Sequence, residues 1–375
     1  MEVFMRQSIF GCAFLLQCLL SMHIYGEECT GAWQHDLATG PQGPKAFNGD
    51  TYAAYAVFSY ENDHRTGFRL KASFPNARFF SIENYRSQKN SDFDAIVDRD
   101  IEADLGSVNP FKPGVSWRYL DQSFTIEVIP QNAPKRHPNT LRIDSTSDKG
   151  SIWLRIYSPN VGVGITSDDL PMIEAFDPFT GASKACPEGF DVPYFTAYPQ
   201  ALTHIVPRRK AFDFEIRDVG LAGNNAVPGY SYGVTKMPKG DVMVVKLKAP
   251  SFANSFRLDE SDSLPIADVR YWSLCSQDVA GNVGLGCLAD HKSLIDSEGY
   301  VTTVISQSSK ARARALAMGL NFIADLRRAK QSILLMVYRN ILPSESFRDH
   351  VYQGSFTPQA KVCTENEYLE GRCDW

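Results

Sequence analysis

Three strand-like segments of this chain occur twice, in the same order, about 180 residues apart. The first set is Asn76-Ala-Arg-Phe-Phe-Ser-Ile, Ser123-Phe-Thr-Ile-Glu-Val-Ile and Ile152-Trp-Leu-Arg-Ile-Tyr157. The second is Ala267-Asp-Val-Arg-Tyr-Trp-Ser-Leu, Tyr300-Val-Thr-Thr-Val-Ile-Ser and Ile333-Leu-Leu-Met-Val-Tyr338. An ordered recurrence predicts a repeated β scaffold whose loops carry the function. The expected fold is all-β, with two tandem jelly-roll or β-sandwich modules: 27–209 with a Pro-rich connection, and 210–375 with a helical insertion. If the copies are equivalent, Phe79, Ile82, Phe124, Ile126 and Leu154 are buried like Tyr271, Leu274, Val301, Thr303 and Leu335, on inner sheet faces.

Length agrees with this division, since 375 residues suit roughly two domains of about 150. The 43% hydrophobic content can fill a core in each. A formal charge of −5 has the wrong sign for general nucleic-acid binding, and no basic-aromatic motif offsets it.

Residues 1–26 read as a cleaved secretory signal. Arg6 precedes an apolar stretch from Ile9 to Ile24, and Gly26 stands before Glu27 and Glu28. The stretch is shorter than a bilayer span and is interrupted by Gln17, Ser21 and His23. A secreted or periplasmic protein without a membrane span after cleavage is expected. Cleavage removes Cys12 and Cys18 and leaves six cysteines for an oxidising compartment. Short spacing favours Cys275–Cys287 and Cys363–Cys373, and Cys29–Cys186 follows by elimination. Metal ligation by these thiols has no C-x-x-C to support it.

Short runs rich in aromatic and β-branched residues, separated by Gly, Pro and Asn turns, dominate 52–157 and resume from Lys210. Between them, 159–209 is proline-rich and reads as the connection. Ala311 to Ala329 reads as a helix, with four alanines among its first seven residues and an apolar set at Leu316, Leu320, Ile323 and Leu326. It occupies the place of the 131–150 connection in the first copy. Its basic ends read as a solvated face rather than a membrane-binding one.

Arg270-Tyr-Trp-Ser-Leu-Cys-Ser-Gln-Asp278, Asp296-Ser-Glu-Gly-Tyr-Val-Thr-Thr-Val-Ile305 and Tyr338-Arg339 together resemble a bacterial jelly-roll domain of unknown function. Arg78-Phe-Phe-Ser-Ile-Glu-Asn-Tyr85, Phe124-Thr-Ile-Glu-Val and Trp153-Leu-Arg-Ile-Tyr157 carry the resemblance in the first copy, with Phe80 where the pattern has Trp. It covers roughly half the chain and implies a fold, with no activity to carry over.

Gly229-Tyr-Ser-Tyr-Gly233 satisfies G-x-S-x-G, with Ser231 as candidate nucleophile and His291 or His350 downstream. A nucleophile elbow needs a strand before the serine and a helix after it. Pro228 and Pro238 bracket the segment, so an ordinary Gly-rich loop is expected. His291, beside Asp290, is the other weak catalytic candidate, with a surface histidine as the plainer reading. Asp98, Asp100, Glu102 and Asp104 would share one face of a strand and are the candidate calcium ligands, although the EF-hand glycine is replaced by Val97. A solvated acidic edge with Arg99 as counter-charge is the plainer reading, and no other cofactor is expected. Tyr194, Phe195, Tyr198, Tyr230 and Tyr232 are the candidate ligand-binding aromatics, suited to stacking on sugar rings. The expected function is non-catalytic binding of a glycan or another envelope component. An extracellular hydrolase of glycosides or esters and a structural envelope protein are the alternatives.

Overall fold

The computed structural model describes residues 28–29, 33–40, 42–45, 49–86, 92–116, 122–159, 165–189, 206–217, 230–253, 265–278, 283–327 and 333–375. The expected signal segment lies outside the described residues. The strands of the first half are β1 (Gln34–Asp36), β2 (Gln42–Lys45), β3 (Ala53–Glu61), β4 (Gly67–Ser73), β5 (Ala77–Arg86), β6 (Asp92–Val97), β7 (Ser123–Pro130), β8 (Thr140–Ile143), β9 (Lys149–Pro159) and β10 (Met172–Phe176). Those of the second are β11 (Ala211–Asp213), β12 (Glu215–Arg217), β13 (Tyr230–Lys236), β14 (Val242–Lys248), β15 (Val269–Asp278), β16 (Val283–Ala289), β17 (Tyr300–Ser306), β18 (Asn321–Ala324), β19 (Ile333–Pro343) and β20 (Gln359–Cys363). The helices α1 (Ser309–Ala317) and α2 (Glu365–Leu369) are short. The fold is all-β.

Four sheets hold these strands. The first half supplies the orders β1-β3-β9-β5-β6 and β10-β4-β7-β8. The second half supplies β12-β13-β19-β15-β16-β2 and β11-β20-β14-β17-β18. Apart from β2 and β11, the two sets of orders are the same. Even the parallel pair recurs, β7 with β8 and β17 with β18, and each is fixed by an asparagine. Asn139 donates to the carbonyls of Glu102 and Thr125 and accepts from the Glu102 amide. Asn321 does the same with Leu294 and Thr302.

The strands form where apolar side chains alternate. Along β7, Phe124, Ile126 and Val128 enter a core shared with Phe68 and Leu70 of β4, Phe80 and Ile82 of β5, and Leu154 and Ile156 of β9. The second half builds its own core from Val245, Trp272, Leu274, Val301, Ile305, Met336 and Tyr338. All ten residues expected to be buried are buried. Leu335, between the core residues Leu334 and Met336, is turned to the other face of β19, and Phe79 and Tyr271 do not face these cores either. These two aromatics point from the opposite face of their strands into a third cluster that joins the halves.

Two readings are corrected here. The 311–329 helix ends early: the Ser308 side chain caps it by accepting from the Ala311 amide, and Gly319 at φ +69° turns the chain out. Residues 321–324 then fill the sheet edge beside β17, a tertiary pairing that overrides the helical pattern. The third repeated segment occurs in the equivalent strands but three residues out of register. Leu154 lies opposite Ile82 as Tyr338 lies opposite Leu274, so Leu154 answers Tyr338, and Tyr157 answers Ile341.

Candidate functional site

Among the described residues, a concentration of buried charge lies where the halves meet. It is built at the starts of β5 and β15, beside Phe79 and Tyr271. Arg78 and Arg270, the corresponding residues of these strands, reach across to the other half. Arg78 pairs with Asp290, and Arg270 pairs with Asp98 at 3.3 Å. Each guanidinium also donates to the other arginine's carbonyl, at 2.6 and 3.3 Å. Asp98 and Asp290 occupy corresponding positions in 3-10 turns, 98–100 and 290–292. Each accepts two backbone N–H bonds, Asp98 from Phe80 and Arg99 and Asp290 from Trp272 and His291. The clasp is therefore reciprocal residue by residue. Burial pushes the Asp98 carboxyl up to about 6 against the lowering influence of Arg270.

Beside the clasp, Asp50 accepts from the Tyr271 hydroxyl at 2.9 Å and from the Ser273 hydroxyl. It enters from the segment that carries β2 across to β16, so one stretch of chain crosses to the second half's sheet and returns. Glu83 accepts from Ser81 and Tyr85, each at 2.7 Å, and pairs with Arg155 at 3.4 Å. Arg339 stands at the position in β19 that Arg155 holds in β9, opposite Ser273 as Arg155 is opposite Ser81. Its guanidinium lies 5.2 Å from the Tyr230 ring. Burial drives the Tyr55 and Tyr157 phenols up, Tyr55 to about 12, so they act as neutral hydrogen-bonding groups. Carboxylates, guanidiniums and hydroxyls here pair with one another, although the Arg78 Nε has no hydrogen-bond partner, and this pairing makes the seam specific in register.

The candidate site residues are scattered. Ser231 is not in a loop: it lies within β13, fully buried, and its hydroxyl has no hydrogen-bond partner. No helix follows it, so no elbow forms. His291 is not at the surface. Its ring is largely buried, with Nδ1 3.3 Å from Asp290 and an edge contact to Tyr52. Asp98, Asp100, Glu102 and Asp104 do not share a strand face, because β6 ends at Val97 and the chain turns. Asp98 goes inward to Arg270, while Glu102 goes outward to Lys112 at 2.7 Å. Among the described residues, the only group close enough to hold a metal is Asp50 with Cys275 and Cys287, and those cysteines form a disulfide. Tyr230 and Tyr232 belong to β13 rather than to a loop. Tyr194, Phe195 and Tyr198 lie outside the described residues.

The disulfides Cys29–Cys186, Cys275–Cys287 and Cys363–Cys373 are all present. The second does not close a loop in isolation. It staples directly paired residues of β15 and β16. Sequence reading missed the clasp, although Arg78 and Arg270 both stood in the repeated segment; their recurrence was the available signal.

No family model matches this sequence, and no curated protein matches it. A crystal structure of an uncharacterised protein from Burkholderia cenocepacia is similar, with a TM-score of 0.56 at 12% identity over 94% of this chain and 87% of that one. A protein from Vibrio parahaemolyticus gives a TM-score of 0.46 at 13% identity over 84% and 90%. The first likeness extends the fold over nearly the whole chain. Among the described residues, no helix is long and apolar enough to cross a membrane.

Proposed function

We propose that this chain is a secreted or periplasmic, non-catalytic binding protein made of two copies of one jelly-roll-like β-sandwich module, with a glycan or another envelope component as ligand. The observation that carries this reading is the use to which the reactive side chains are put. Asp98, Asp290 and Glu83 are paired with arginines in the seam, and Asp50 is held by hydroxyls. Ser231 is closed inside a core. These groups are spent on a rigid scaffold, which leaves recognition to loops. Three disulfides favour an oxidising compartment.

A glycan array, run beside a panel of generic ester and glycoside substrates, tests the reading. Selective retention without turnover is expected, and Tyr194→Ala, Phe195→Ala and Tyr198→Ala are expected to weaken it. Turnover abolished by Ser231→Ala would overturn it in favour of a hydrolase. Blank results in both screens would favour a structural envelope protein. Secreted mature protein should begin after Gly26 and show three disulfides in non-reduced peptide mapping.

A further inference from the structure

The repeat provides an internal control on the second core. Matching strand pairings put Ser231 at the position of Ala56, because each lies opposite the equivalent residues Tyr338 and Leu154. Trp272 pairs with Asn340 as Phe80 pairs with Ile156. Thr303 answers Ile126, since Asn321 and Asn139 bond the preceding corresponding carbonyls, those of Thr302 and Thr125. The first half therefore folds with Ala, Phe, Ile, Leu and Ile at five core positions where the second half has Ser231, Trp272, Thr303, Tyr338 and Asn340.

These five residues are fully or almost fully buried. The hydroxyls of Ser231 and Thr303, the Trp272 indole N–H and the Asn340 side-chain carbonyl have no hydrogen-bond partner, and the Tyr338 hydroxyl has only the Asn340 amide beside it. Four of them adjoin on one sheet face: Ser231 is across from Tyr338, Asn340 is two residues further along β19, and Trp272 is across from Asn340. The Trp272 and Tyr338 rings are 6.1 Å apart. Thr303 lies between Val301 and Ile305, whose side chains enter the same core from the opposite sheet. The great majority of buried polar groups have a partner in protein or ordered water, and a cluster of exceptions calls for one. The fold itself does not require them, as the first half demonstrates.

We propose that Ser231, Trp272, Thr303, Tyr338 and Asn340 form a buried site for a small neutral hydroxylic guest, either water or a short alcohol. The set contains donors and acceptors but no charge. Burial holds the Tyr338 phenol well above its ordinary value, and the neighbouring Asn340 amide only tempers that. A hydroxylic guest both donates and accepts, and so answers the indole N–H and the amide carbonyl together. This site is independent of the loop-borne binding proposed above.

The test uses the full secreted chain and two readouts. Water-oxygen magnetic relaxation dispersion detects long-lived internal water, and thermal melts titrated with ethylene glycol detect a saturable rise in Tm at millimolar concentration. Both are repeated on Ser231→Ala and Thr303→Val, and on the variant carrying Ser231→Ala, Trp272→Phe, Thr303→Ile, Tyr338→Leu and Asn340→Ile. A dispersion signal diminished in the variants identifies the guest as water, and a Tm rise lost in them identifies it as an alcohol. If the five-fold variant does not fold, the two single variants decide. Absence of both signals in the parent protein, or signals unchanged in the variants, overturns the proposal.

Discussion

Asp98 and Asp290 are buried carboxylates that face arginines of the opposite half, and their energetics follow from desolvation. Removing one partner leaves a buried charge unpaired, which costs about 3–5 kcal/mol. Asp290→Ala should therefore lose roughly that amount in urea denaturation, whereas Asp290→Ala combined with Arg78→Met should lose less. Asp98 also sets a pH dependence. Its folded value of about 6 lies above its unfolded value, so its contribution to stability is complete below about pH 4 and is lost as pH rises through about 6. A shift of about two units corresponds to roughly 3 kcal/mol. Between pH 4 and 7 the parent protein should lose stability relative to Asp98→Asn, whose profile should be flatter. Coincident profiles would show that Asp98 stays ionised throughout.

The elements show where local signals suffice and where they do not. The longer strands β3, β4, β5, β7, β9, β14, β15, β17 and β19 were legible from their composition and alternation, whereas β13 reads locally as a Gly-rich loop; the repeated segments marked the equivalent strands β5 with β15, β7 with β17, and β9 with β19. Helix α1 was legible at its start, where alanines and the Ser308 cap agree, but not at its end. There, residues 321–324 gain more from pairing with β17 than from continuing a helix. Gly319→Ala should cost about 1–2 kcal/mol in thermal or urea melts, because a left-handed conformation places Cβ against the backbone. The Cys275–Cys287 staple spans 12 residues and restricts the unfolded chain by about 3 kcal/mol on the loop-closure estimate. The Cys275→Ala/Cys287→Ala variant should lose about that much stability while keeping its far-UV circular dichroism.

The whole molecule is tied across its middle by three kinds of contact: the reciprocal clasp, the aromatic cluster around Phe79, Tyr157 and Tyr271, and strand β2. Halves joined in this way should unfold together, so calorimetry should record one transition. Arg78→Ala/Arg270→Ala removes both cross-half ion pairs and should broaden that transition or divide it in two. A single sharp transition in this variant would show that apolar contacts and β2 suffice to couple the halves. The β class and the two short disulfide pairings, Cys275–Cys287 and Cys363–Cys373, were legible in the sequence alone, because strand periodicity and close cysteine spacing are properties of residues near one another along the chain. Only the tertiary structure decided that Asp98 turns inward to an arginine 172 residues away, that Ser231 is enclosed in a core, and that β2 serves the far half. Each of these depends on which surfaces meet once the strands have formed, and meeting surfaces are set by long-range packing and desolvation, which leave no local pattern to read.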